Sequence, residues 1–206
     1  LGLPKNGSFY NQSDEYQAHS GAPIFMEQFK LQVTSGQDCG FYLPDLLKKL
    51  QSFIDPAFKV IHEQFFDGKT TLTRLERQSF IEIFYVLYIL KAIELLNIDS
   101  VSFTCKDAID TGMQQTAIFF GLLRMVSDPA KWSSKEKDLL LWILYSPALL
   151  IRERPIDHLH FKRAIQTFET IHRQCLKHHE QIIKALNSLL PKLKLPVEID
   201  WPKMGD

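Results

Sequence analysis

No stretch of this chain stays apolar for long enough to cross a bilayer. The strongest run, Ile83–Leu90, is hemmed in by Glu82 and Lys91 and falls far short of the roughly 20 residues that a membrane helix needs. A basic-then-apolar leader is also missing, so no signal peptide is expected; the first residue is Leu1 rather than Met, which fits a piece of a longer protein. Net charge is absent as well. The 24 basic and 24 acidic residues cancel, so no whole-chain field draws the protein onto nucleic acid, and no nucleic-acid partner is expected. Cysteine is scarce: Cys39, Cys105 and Cys175 are far apart and odd in number, a poor disulfide framework that fits a reducing, cytoplasmic setting. In that setting the glycosylation patterns at Asn6 and Asn11 carry little weight. The chain has no phosphate-cradling G-x-x-x-x-G-K-[ST], no G-x-G-x-x-G, no H-E-x-x-H and no G-x-S-x-G, which removes support for nucleotide, zinc-protease and serine-hydrolase chemistry. No cofactor and no metal are expected. Internal repeats and low-complexity tracts are lacking too.

What is present suits one globular domain over 1–206. Of its 206 residues 45% are hydrophobic and 23% charged, enough for one sizeable core. Residues 1–40 are rich in Gly, Ser, Asn, Gln and Pro and read as loop, with one strand at Phe29–Thr34. Residues 41–206 carry long helical patterns. Leu46, Leu47, Leu50, Phe53 and Ile54 give spacings of three and four, with Pro56 expected to kink or split the segment before Phe58–Phe66. Asp67-Gly68 is a turn signal. A helix over about Leu72–Leu96 is apolar nearly all round between Phe80 and Leu96, as befits the middle of a domain. Asn97 ends it, and Ser100–Thr104 is expected as a short strand. Further helices are predicted over Gly112–Val126, Lys135–Ile151 and Asp157–Leu190, with Ser133 or Ser134 as a cap and Arg154-Pro155 as a joint. Val197–Asp200 is a possible last strand. The fold class expected is therefore α+β, predominantly helical, with a small sheet feeding a strand–loop–helix element. Phe80, Phe84, Tyr85, Tyr88, Trp132 and Trp142 fall in apolar helical patterns and are expected in the core.

The chemistry concentrates in Val101–Gln114, VSFTCKDAIDTGMQ. A thiolate nucleophile needs a depressed pKa, and a nest of backbone N–H groups opening into a helix N-terminus supplies one. The same donors hold phosphate oxygens. Cys105 would attack phosphorus and form a phospho-cysteine for water to hydrolyse. Asp107 and Asp110 are placed to protonate the leaving alkoxide and activate that water. The backbone at Ala108, Ile109, Thr111 and Gly112, with the Lys106 side chain, would grip the phosphate.

The run Cys105-Lys106-Asp107-Ala108-Ile109-Asp110 resembles the phosphate loop of cysteine-based phosphatases of the C-x5-R type. The likeness is nearest to phosphoinositide-directed branches: Sac-domain and myotubularin loops (C-x-D-x-x-D-R-T) and bacterial effector inositol-phosphate phosphatases (C-K-x-x-x-D-R-T-G). It implies Cys105 as nucleophile, Asp107 as general acid, Lys106 as a cation for highly charged head groups, and Asp110 as the aspartate before the family arginine. The partners implied are phosphorylated inositol lipids or inositol phosphates, at a peripheral membrane surface; a secreted effector would act in host cytosol. The departure is Thr111, which stands where the loop arginine belongs. Either Thr111 replaces that arginine, or the arginine is absent and Thr111-Gly112-Met113-Gln114 matches the T-G-M-Q that follows it in the effectors. In the family two arginine N–H donors fork onto the phosphate, and losing a preorganised donor of this kind costs about 3–4 kcal/mol of barrier. An inactive pseudophosphatase, an engineered inactive form, or an arginine from elsewhere (Arg124, Arg152 or Arg154) fits the departure.

A different class of reading stands beside this one: a non-catalytic helical interaction module in which Cys105 only packs. Two weaker patterns lie on the last predicted helix. Cys175, His178 and His179 share one face at metal-ligand spacing. Lys162, Arg163, Arg173, Lys177, His178, His179 and Lys184 form a basic face suited to anionic lipid, with solvation as its plainer role.

Overall fold

The computed structural model describes residues 2–34, 47–103, 105 and 109–196. Seven α-helices run in chain order: α1 Gly7–Asn11, α2 Ala22–Thr34, α3 Leu47–Phe66, α4 Arg74–Leu96, α5 Asp110–Ser127, α6 Ser134–Arg152 and α7 His158–Leu189, with a 3-10 turn at Asp14–His19. Among the described residues there is no strand and no sheet. Between described residues the extended pairing seen is an isolated bridge, Gly21 with Thr71. The α+β expectation is thereby overturned: the protein is helical.

Phe29–Thr34 shows why the strand reading failed. Its alternation Phe-Lys-Leu-Gln-Val-Thr has a period of two, but the buried set is Ala22, Phe25, Phe29 and Val33, spaced by three and four, while Leu31 is 61% exposed. Burial follows the helical period, so the segment is the second half of α2. Ser100–Phe103 is likewise not a strand. Phe103 leans on Phe119 of α5, with ring centroids 5.2 Å apart, while Val101 faces solvent, and no neighbouring strand pairs with either. Val197–Asp200 lies outside the described residues.

α4 is the central element. From Phe80 to Leu90 every residue is buried, and it packs against α1, α3, α5 and α7. A capping box closes its start: the Thr73 hydroxyl accepts from the Glu76 amide and the Glu76 carboxylate accepts from the Thr73 amide, which satisfies two orphan donors of the first turn. Pro56 neither ends nor divides α3. Its missing N–H falls on the exposed side, beside exposed Ser52 and Asp55, where water replaces the lost bond. α3 ends at Phe66, and Asp67 and Gly68 follow in the left-handed conformation with φ of 55° and 62°; the Gly68 amide donates back to the His62 carbonyl at 3.0 Å, which satisfies a carbonyl of the last turn.

α6 opens on a second capping box, Ser133 with Glu136. Glu136 also takes the Arg124 guanidinium from α5. Burial alone would raise its pKa, but the Arg124 and Ser133 donors overcome that and draw it down to about 2, from an ordinary 4.5. Because the folded value is the lower one, this stabilisation is complete above pH 4.5 and vanishes as pH falls through about 2. Glu136→Gln keeps a capping side chain and removes the charge. We expect it to be less stable than the native chain at neutral pH and equal to it near pH 2, as measured by urea midpoints across that range.

α5 and α7 pack closely at Gly121. A methyl group there would lie 2.6 Å from Cε1 of Phe168, a residue that is itself 7% exposed. Gly121→Ala is expected to destabilise by about 1–3 kcal/mol through overpacking, despite the better helix propensity of alanine; a thermal melt checks it. Trp132, expected in the core, is half-buried at its edge against Phe120, and Trp142 is 64% exposed, because on α6 it falls opposite the buried Leu144 and Ala148 stripe.

Candidate functional site

α5 begins at Asp110 behind Ile109, whose φ and ψ of −95° and −72° are already helical and whose side chain makes no cap. Among the described residues, Ile109 gives the first-turn N–H groups of α5 no side-chain acceptor of the kind that the N-cap residues of α4, α6 and α7 supply. Such a helix start carries the positive end of the macrodipole and favours anions.

Cys105 lies against this turn. A methyl placed on Gly112 would sit 3.6 Å from the Cys105 sulfur and 3.7 Å from its backbone nitrogen, and the thiol is exposed. Lys106, Asp107 and Ala108 lie outside the described residues.

Around this helix start the fold gathers side chains from the α6–α7 joint. Arg154 grips Asp110 with both ends of its guanidinium, at 3.0 and 2.6 Å, and the Asp157 amide donates to the same carboxylate at 2.9 Å. The Arg154 hydrogen bonds hold Asp110 below the ordinary carboxylate range, so at neutral pH it is a carboxylate that anchors a cation rather than a proton donor. Of the three arginines considered from the sequence, Arg124 is committed to Glu136 near the other end of α5, and Arg154 is bonded at its start.

Thr111 meets His160 across the α5–α7 contact, Oγ1 to Nε2 at 3.3 Å. His160 Nδ1 is 2.9 Å from Asp157 Oδ1, which also caps α7. The imidazole bond is the main cause of the lowered Asp157 pKa. A carboxylate–imidazole–hydroxyl chain thus ends one residue from Gly112. Asp157 and His160 were not legible as part of this site. A D-x-x-H spacing signals a cap, and only packing of α7 on α5 delivers it to Thr111.

Two adjoining clefts open here. One, of about 760 Å³, runs between the N-terminal segment and α4, with Lys5, Tyr10, Tyr85, Cys105 and Thr111 in its wall. The other, of about 510 Å³, lies behind Cys105 and is walled by α4, residues 98–103 and the first turns of α5. Thr111, Cys105 and Lys5 belong to both.

Beneath the first cleft sits a buried charge cluster that sequence reasoning missed, because Glu82 is embedded in an apolar run. Glu82 is fully buried and pairs with Lys5. It accepts from the Tyr10 hydroxyl and from Gln114 at 3.1 Å, with Arg163 at 3.7 Å. Arg163 in turn covers the Tyr10 ring at 3.8 Å and donates to the Tyr10 carbonyl at 2.9 Å.

The expected basic face of α7 loses Arg163 to this cluster; Lys162, Arg173, Lys177, His178 and Lys184 remain exposed. Cys175 is sealed in the core, where burial pushes its thiol up to about 12, and His179 is bonded to the Val126 carbonyl at 2.7 Å. Their spacing is packing, and among the described residues no cluster of metal-ligating side chains exists. No helix among those residues is long and apolar enough to cross a membrane. No family model, curated protein or solved structure matches this chain, so the likeness to a phosphatase loop rests on Val101–Gln114 alone.

Proposed function

We propose that this protein holds the phosphate of a phosphorylated inositol lipid or inositol phosphate at the start of α5, in the cytosol or at a membrane surface facing it. The chemistry is that of a cysteine-dependent phosphatase or its inactive descendant. One observation carries the reading: Arg154 is fixed by Asp110 at the same helix start that Cys105 faces. It supplies there the positive charge that Thr111 lacks. In this scheme Cys105 attacks phosphorus and the ester oxygen leaves with a proton from Asp107. Water then cleaves the phospho-cysteine, and Asp110 positions Arg154 rather than donating a proton. The helix start and Arg154 counter the charge that grows on the phosphoryl oxygens.

Phosphate release from a short-chain soluble phosphoinositide tests this. Cys105→Ser is expected to abolish release while vanadate or sulfate still binds. Arg154→Met should weaken both, and Thr111→Arg should raise turnover. Equal release by the native chain and Cys105→Ser would overturn the catalytic scheme. Absence of anion binding in every form would overturn the site itself. In that case the reading of a helical interaction module stands, favoured by exposed Leu149, Leu150 and Ile151 at the end of α6 with Leu159 just beyond.

A further inference from the structure

Beyond the Lys5, Cys105 and Thr111 rim that it shares with the first cleft, the cleft behind Cys105 has a largely apolar wall. Ile89, Ala92 and Ile93 of α4 line its depth, and Leu96, Ile98 and Val101 form its entrance. The three entrance residues are exposed, at 51, 37 and 41%. Apolar residues gathered at the mouth of an apolar cavity of about 510 Å³ are unfavourable in water and suit an apolar guest; the volume is in the range of small-molecule sites.

Lys5, Ser100, Ser102 and Thr111 also line that wall, but its unsatisfied polar group is Gln115. It is 4% exposed, and among the described residues neither its amide nitrogen nor its amide oxygen has a hydrogen-bond partner. A buried primary amide with both ends unmet is costly, and native interiors rarely keep one unless something else satisfies it. Its Nε2 donates and its Oε1 accepts, so a guest must bring an acceptor and a donor side by side. A hydroxyl next to an ester carbonyl offers that pair; a fully ionised phosphate, which has no donor, or a bare hydrocarbon does not.

We propose that this cleft binds a single-chain acyl lipid with a neutral, hydroxyl-bearing head, the chain lying along Ile89, Ile93 and Val101 and the ester and hydroxyl meeting Gln115. The apolar wall does not depend on the proposed phosphate grip, although Cys105, Thr111 and Gly112 of that grip form the rim of this cleft. The exposed thiol at that rim is a natural reporter of occupancy.

The test uses the full chain, with monooleoylglycerol below its aggregation limit as the probe. Alkylation of Cys105 by N-ethylmaleimide is followed by the mass of the peptide that carries it. Monooleoylglycerol should slow the alkylation saturably and glycerol should not. Inorganic phosphate run alone reports on the anion site without bearing on this one. Gln115→Leu removes the unmet amide, so it should raise the melting temperature of the empty protein while weakening monooleoylglycerol binding about tenfold. Leu96→Glu changes an exposed entrance residue, should leave the melt unaltered, and should block the chain. No saturable protection would overturn the proposal. So would protection that persists unchanged in both variants, which marks adsorption elsewhere, and so would a Gln115→Leu protein that melts lower and binds as before.

Discussion

Replacing Glu82 with glutamine is expected to destabilise the protein by about 3–5 kcal/mol, the cost of leaving buried cations without their counter-charge. Four groups converge on this one carboxylate: Lys5 and Tyr10 from the N-terminal segment, Gln114 from α5 and Arg163 from α7. Glutamine keeps the shape and loses the charge, and Arg163 cannot shed its proton to compensate. For a domain whose whole stability is about 5–15 kcal/mol, that loss is a large share. Lys5→Met should cost less, because Arg163, Tyr10 and Gln114 still satisfy Glu82. Urea unfolding tests the order: the midpoint should fall further for Glu82→Gln than for Lys5→Met, at similar slope. Equal, small shifts would mean that the cluster is solvated.

The same cluster sets a pH response. Burial pushes the Glu82 pKa upward, but Lys5 and Arg163 outweigh it and hold the group below its ordinary value of 4.5. Stability from this carboxylate is therefore complete above that value and is lost as pH falls through the lower, folded one. Protonation would release Lys5 first, because it belongs to the N-terminal segment that walls the larger cleft. Acid should thus loosen the mouth of the candidate site along with the core.

The helices were legible from their 3.6-residue apolar rhythm, and at α6 from a serine cap as well, which the structure assigns to Ser133. The Thr73–Glu76 capping pair that starts α4 went unread, and that helix was expected from about Leu72. The sheet was misread where one signal stood alone, a two-residue alternation with no test of which face is buried. At the site, Cys105, Asp110, Thr111 and Gly112 stood out as neighbours in sequence. Arg154 stood out only as one of three arginines with nothing to choose among them, and Asp157 and His160 did not stand out, because their relation to the start of α5 is created by packing across elements. Spacing along a chain reports the face of one helix and says nothing of which helix lies opposite.

Phe29 and Leu31 turn that lesson into a measurement. As a strand, Phe29–Thr34 would place both side chains on one face, and truncating either would cost alike. As part of α2, it sets them apart. Phe29 is 1% exposed and stacks on Phe58 at 5.0 Å, with its edge against Phe84 at 5.0 Å and Phe9 at 5.5 Å. Leu31 faces water at 61% exposure. Phe29→Ala is expected to cost about 3–5 kcal/mol, since it empties a cavity among rings that cannot collapse into it. Leu31→Asp should stay within about 0.5 kcal/mol. Thermal melts of the two variants decide the matter: a cost at Leu31 comparable to that at Phe29 would return the segment to a sheet, and with it the architecture that a phosphatase loop ordinarily sits on.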